Sequence, residues 1–188
     1  MNYLGVIKDD VINGPGVRLT IFVSGCEHHC PSCHNSQSWD KNSGYYLKPS
    51  VINGIIDYIL STPFCSGVTI SGGDPLAIYN RVDTFTLINS IKQKLPSDRS
   101  INFWLYTGYT YEELIETIKT GNTIESLILP KILSNIDVLV DGRFILEKRD
   151  ISLKFRGSSN QRIIDINKTF NPNNLSNNNI VLWSEEND

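Results

Sequence analysis

The chain has 188 residues, of which 40% are hydrophobic and 20% charged, and a formal net charge of −3. That length suits one well-buried domain and is short for two, and the charge gives no drive toward DNA or RNA, so no nucleic-acid partner is expected. No apolar run approaches the ~18 residues of a membrane span, and Met1 to Asp10 lacks the charged start and apolar core of a signal peptide, so a cytoplasmic chain with no membrane partner is expected.

Asn13, Gly14, Pro15 and Gly16 make a strong turn signal, because glycine supplies positive φ and proline fixes its own. Residues 18–24, Arg-Leu-Thr-Ile-Phe-Val-Ser, predict a strand that delivers the next loop from its C-terminal end. Arg18, taken alone, reads as a surface arginine beside an ordinary turn. Three of the four cysteines then fall within eight positions, Cys26, Cys30 and Cys33, in a C-x3-C-x2-C spacing. One loop can wrap three thiolates around a single centre, and soft thiolates favour zinc, copper(I) or iron-sulfur clusters. A structural zinc site takes a fourth ligand, and His28, His29 and His34 keep a Cys3His site open. A [4Fe-4S] cube on three cysteines instead leaves one iron able to bind a substrate or cofactor. The spacing is too tight for a disulfide framework, and Cys65 reads as a small buried apolar residue. His28 and His29 read as solvent-facing loop residues.

Residues 35–48 are polar and predict irregular structure. Ser50 is the expected N-cap of a helix whose Val51, Ile52, Ile55, Ile56, Ile59 and Leu60 share one wide apolar face. A second strand over residues 68–71 ends in Gly72, Gly73, Asp74 and Pro75. Two adjacent glycines let backbone approach a ligand closely, and an acidic residue beside them accepts hydrogen bonds from an amine. Residues 78–95 predict a helix stopped by Pro96. A third strand, residues 102–106, ends in Thr107, Gly108 and Tyr109, and Thr107 is either a site contact or the cap of a helix over residues 111–118.

A short helix broken near Pro130, over residues 124–134, and a fourth strand over residues 136–141, closed by Asp141, complete the pattern. This alternation argues an α/β fold with parallel strands. A full eight-fold barrel takes ~250 residues, so a partial, open β/α barrel is expected, with the cysteine loop at its mouth. Residues 151–165 predict a short C-terminal β-hairpin around a polar tip at Asn160, Gln161 and Arg162. The single domain is expected over 1–168. Residues 169–188, with their asparagine-rich stretches at 171–174 and 177–179, are expected to form a loosely ordered tail in which residues 181–183 dock as a last strand.

Cys26, Cys30 and Cys33, taken with Ser-Gly-Gly-Asp-Pro at 71–75, resemble the radical S-adenosylmethionine (SAM) enzymes, which implies a partial barrel of that type. The resemblance further implies a [4Fe-4S] cluster held by the three cysteines, SAM chelated by the fourth iron, and reductive cleavage of SAM to methionine and a 5′-deoxyadenosyl radical. It implies that Gly72, Gly73 and Asp74 contact the SAM amino group, that the loop at Ser32, Cys33 and His34 passes the adenine, and that Thr107 lies near the ribose and carboxylate. Ser32 departs from the pattern, since many members carry an aromatic residue there.

Gly-Pro-Gly-x-Arg at 14–18 resembles the glycyl-radical activases among these enzymes. Asp-Gly-Arg-Phe at 141–144 and Leu-Lys-Phe-Arg-Gly-Ser-Ser-Asn-Gln-Arg-Ile-Ile-Asp at 153–165 resemble the activating-protein family of the anaerobic, class III, ribonucleoside-triphosphate reductases. This implies that the reductase is the protein substrate, receiving a glycyl radical, and that a flavodoxin- or ferredoxin-like protein is the electron donor. No side-chain acid or base is needed for that step. Other readings stay open: a small radical SAM enzyme of the 7-deazaguanine synthase or pyruvate formate-lyase activase type, an iron-sulfur electron carrier, and a zinc-stabilised interaction domain.

Overall fold

The computed structural model describes residues 1–175 and 179–185. In chain order its elements are β1 (Asn2–Asp10), β2 (Val17–Val23), β3 (Tyr45–Tyr46), α1 (Pro49–Ser61), β4 (Cys65–Gly72), α2 (Arg81–Lys94), β5 (Asn102–Tyr106), α3 (Tyr111–Thr120), α4 (Ile124–Leu133), β6 (Val138–Asp141), β7 (Arg162–Asp165) and α5 (Ile166–Thr169). One mixed sheet runs β3-β1-β2-β4-β5-β6-β7 and does not close on itself. β2, β4, β5 and β6 are mutually parallel, as the alternation of strands and helices predicts, and β1, β3 and β7 flank them antiparallel. Among the described residues no helix is long and apolar enough to cross a membrane.

Successive strand residues point to opposite faces, and the two faces differ in chemistry. Leu19, Ile21, Val23, Val68, Ile70, Phe103, Leu105 and Leu139 join Ile55, Ile59, Leu87, Ile91, Leu114 and Leu129 of the helices in the main core. On the other face Trp104, Val138 and Val140 gather Tyr106, Phe155, Ile163 and Trp183. Phe155 and Trp183 meet the Trp104 ring edge-on at 5.5 and 4.9 Å. Arg18 is fully buried, which corrects its reading as a surface residue. Its Nε donates to Thr69 Oγ1 at 2.8 Å, Nη1 to Asn102 Oδ1 at 2.6 Å and Nη2 to the Val68 carbonyl at 3.0 Å. A guanidinium can be buried this way because its fork of donors is matched by fixed oxygens.

Other departures have local causes. β1 and β3 are not expected from the sequence: β1 breaks its apolar run at Gly5 and ends in Lys8, Asp9 and Asp10, so its strand character emerges only on pairing with β2. α1 begins at Pro49, with Lys48 rather than Ser50 at the N-cap, since proline at the first helical position has no N–H to satisfy. α2 starts at Arg81 rather than residue 78, because Asn80 Nδ2 pins the preceding turn to the Ser24 and Asp74 carbonyls, both at 2.9 Å. α4 runs through Pro130, where burial of Leu129, Ile132 and Leu133 outweighs one lost backbone bond.

The segment expected to form a hairpin differs too. Residues 151–155 are turns and bends, with Phe155 at φ 58, a left-handed backbone away from the extended conformation of a regular strand. The antiparallel partner of β7 is β6. Residues 181–183 do lie along β7, through Asp165 N–H to the Val181 carbonyl and Trp183 N–H to the Ile163 carbonyl, both 2.9 Å. Residues 177 and 178 of the second asparagine-rich stretch lie outside the described residues.

Arg162 ties β7 to its neighbours, donating from Nε to Asp141 Oδ1 at 3.0 Å and from Nη1 to Glu112 Oε1 at 2.8 Å. The hydrogen bond from Arg162 lowers the Glu112 pKa below its ordinary 4.5. A carboxyl with a depressed folded pKa adds stability above its unfolded value, and that stability is lost as pH falls through the folded one. Glu112→Gln should therefore lower the urea midpoint above pH 4.5 and converge on the parent chain well below it, where Glu112 is protonated in both states.

Candidate metal and cofactor site

The C-terminal ends of the four parallel strands open on one cavity of about 470 Å³. Cys26, Cys30 and Cys33 line it from the loop after β2, Gly72 and Gly73 from the end of β4, Thr107 and Gly108 from β5, and Gly142 from β6. The far wall comes from Phe144, Phe155 and Gln161, between β6 and β7, and from Ile12 and Asn13 before β2.

The cysteine loop is pinned at its base. The Gly25 and Cys26 amides donate to the carbonyls of Ser38 at 2.7 Å and Trp39 at 3.1 Å, beside a single 3-10 turn at Ser36–Ser38. All three thiols are free and half-buried. Burial pushes Cys26 up to about 11 and raises Cys30 as well, because poorly solvated surroundings penalise the thiolate. The Asn35 amide approaches Cys33 Sγ at 3.4 Å. Thiols of this kind ionise when a cationic centre offsets the lost hydration, so the donor set fits a thiophilic metal group. Among the described residues no three His, Cys, Asp or Glu side chains are gathered as a single metal ion would require.

Gly72 holds φ +100, and a Cβ there would meet the Val23 backbone nitrogen and oxygen at 2.7 Å. Only glycine lets β2 and β4 run this close beneath the cavity. Asp74, in contrast, does not line the cavity. It is 1% exposed, and its carboxylate is surrounded by donors: Leu76 N–H at 2.8 Å, the Thr107 hydroxyl at 2.9 Å, Gly108 N–H at 3.0 Å and His28 Nε2 at 2.8 Å. The Gly72 and Gly73 backbone therefore faces the cavity, while the Asp74 side chain braces it from behind. Thr107 serves the same brace. The cap of α3 is Thr110, whose side chain accepts the Glu113 amide, so Thr107 is not the cap.

His28 corrects the solvent-facing expectation, since its side chain is only 5% exposed. Arg143 Nε donates to its Nδ1 at 3.2 Å, which places the ring hydrogen on Nε2, toward Asp74. The Tyr109 ring packs edge-on at 4.6 Å. A Cβ at residue 108 would overlap the His28 ring. Gly108→Ala is thus expected to cost about 1–3 kcal/mol in urea unfolding and to move the His28 ring resonances in NMR spectra. His29 stays exposed, its ring 4.8 Å from Trp39.

Of Ser32, Cys33 and His34, the last two line the cavity, whereas Ser32 is exposed outside the lining at φ 59. Sequence reasoning assigned no site role to His28, Trp39, Arg143, Phe144 or Gln161. Gln161 closes the far wall: its Nε2 donates to the Gly142 carbonyl at 3.0 Å and its Oε1 accepts the Gly157 amide at 2.9 Å. The signal available for that wall was its residue run at 153–165, not any spacing rule.

Residues 12–164 match the family described as a 4Fe-4S single cluster domain. The chain is similar to the anaerobic ribonucleoside-triphosphate reductase-activating protein of Escherichia coli K12, 38% identical over 162 residues, or 86% of this chain and 96% of that one. Its likeness to the Vibrio cholerae protein of the same name is 40% over 164 residues, 87% and 97% of the two chains. The Enterobacteria phage T4 protein so named is 32% identical over 164 residues, 87% and 93% of the two chains.

Proposed function

The chain belongs to the anaerobic ribonucleoside-triphosphate reductase-activating protein family, within the 4Fe-4S single cluster domains, and on that premise we propose how the cavity at its strand ends serves as the active site. The protein is a radical SAM activating enzyme that generates a glycyl radical on its reductase. When bound and reduced by an external one-electron donor, the [4Fe-4S] cluster would supply the electron for reductive cleavage of SAM, the radical chemistry that glycyl-radical formation on the reductase requires.

The observation that carries the site assignment is the convergence of three free thiols and the Gly72–Gly73 backbone on one cavity at the ends of parallel strands. Cys26, Cys30 and Cys33 hold the cluster as thiolates. The backbone of Gly72 and Gly73 would hold the SAM amine, with Asp74 fixing its position against Thr107 and Gly108. Cys33 and His34 border the adenine, with Ser32 on the same turn at its outer edge.

Residues 1–168 are read as one partial barrel of the radical SAM type, extended by the β6–β7 pair, with 169–188 as a tail. Its unclosed sheet leaves a side through which a reductase loop can enter. An external electron donor is needed, because the one cysteine outside the loop, Cys65, is buried in the core; the family resemblance implies that this donor is a flavodoxin- or ferredoxin-like protein. Free half-buried thiols fit a reducing cytoplasmic setting.

Electron paramagnetic resonance on the anaerobically reconstituted, reduced protein tests the reading. A cluster signal that changes on adding SAM, followed by a glycyl-radical signal on the added reductase, is the expected result. A cluster indifferent to SAM would make the chain an electron carrier, and bound zinc without a cluster would make it a zinc-stabilised domain.

A further inference from the structure

Among the described residues, four buried side-chain nitrogen or oxygen atoms lack a hydrogen-bond partner, and only one of them, Trp39 Nε1, belongs to a residue lining the cavity. An indole N–H is a donor and nothing else, and a buried donor of this kind calls for an acceptor. Its surroundings narrow the choice. The Trp39 carbonyl accepts the Cys26 amide at 3.1 Å, and the His29 ring meets the indole edge-on at 4.8 Å and 73°. The indole is thereby fixed beside the stretch from Cys26 to Cys30.

We propose that Trp39 is a positioning residue whose indole N–H donates to a sulfur of the iron-sulfur centre held by Cys26, Cys30 and Cys33. The acceptor is a cysteine thiolate or a sulfide of the cluster. This rests on the cluster reading above. Reduction adds negative charge to the sulfurs, so a donor aimed at them favours the reduced form and raises the reduction potential. The Asn35 amide beside Cys33 Sγ acts in the same sense from the other end of the loop.

Trp39→Phe keeps an aromatic ring against His29 and removes only the N–H and part of the ring area. The variant is expected to bind the same iron as the parent and to show a more negative midpoint potential in an EPR-monitored redox titration. A second measurement needs no variant. In parent protein carrying ¹⁵N-labelled tryptophan, electron-nuclear double resonance on the reduced cluster should show coupling to an indole nitrogen and its exchangeable proton. Neither Trp104 nor Trp183 lines the cavity, so the coupling should vanish in Trp39→Phe. An unchanged potential together with no indole coupling overturns the inference and leaves the N–H to a trapped water. Failure of the parent protein to assemble a SAM-responsive cluster would instead sink the functional reading on which the inference stands.

Discussion

Serine in place of Cys26, Cys30 or Cys33, one at a time, is expected to abolish both the cluster and glycyl-radical formation on the reductase. Loss of a supporting residue around a metal typically costs ~10–100-fold in affinity, and loss of a ligand from a set of three should exceed that. Iron content after anaerobic reconstitution and the radical signal are the two readings. Cys65→Ala is the internal control: its side chain is 3% exposed in the core, so it should lower stability by about 1 kcal/mol as a small core truncation and leave iron binding intact. A Cys30→Ser protein with full iron and full radical yield would remove the loop as the holder of the cluster.

The second large effect is expected at Asp74. Asp74→Asn presents an amide NH2 to a site built entirely of donors, Leu76 N–H, Gly108 N–H, the Thr107 hydroxyl and His28 Nε2. Leaving buried, formerly charge-assisted hydrogen bonds unmade should cost about 3 kcal/mol, seen as a lower urea midpoint at unchanged slope. The same change should weaken SAM binding by releasing the strand ends of β4 and β5 from each other, although the side chain itself does not line the cavity. Thr107→Val removes one donor from the cluster of contacts and should give a smaller loss in the same direction. A stable Asp74→Asn protein that binds SAM as the parent does would refute the brace.

These two sites mark where reading the sequence succeeds and where it stops. The cysteine spacing and the paired glycines at a strand end are local facts, so C-x3-C-x2-C and Gly72-Gly73 point to residues that the structure gathers around one cavity. The strands over 18–24 and 102–106 are legible for the same reason, as β-branched and aromatic runs bounded by turn residues. What Asp74 does is not local: its partners His28 and Gly108 lie 46 and 34 positions away. Its inward orientation is therefore a property of the assembled sheet. Arg18 is a harder case, because a charged residue in a strand looks exposed until oxygens from Thr69 and Asn102 are brought around it. The failed hairpin arm at residues 151–155 shows a third kind of limit. Its apolar residues suit a strand by type, but Phe155 is drawn into the Trp104 and Trp183 rings, and the backbone turns to follow it.

The division of the cavity between the two ends of the chain also sets an order of events during synthesis. The thiols stand at 26–33, while the wall that covers them comes from Gly142, Phe144, Phe155 and Gln161. A ribosome adding ~5–20 residues per second makes the cysteines on the order of ten seconds before that wall. For that interval the nascent chain carries three uncovered thiols and no finished pocket. Uncovered thiols oxidise readily, so that interval is safest where oxidants are scarce.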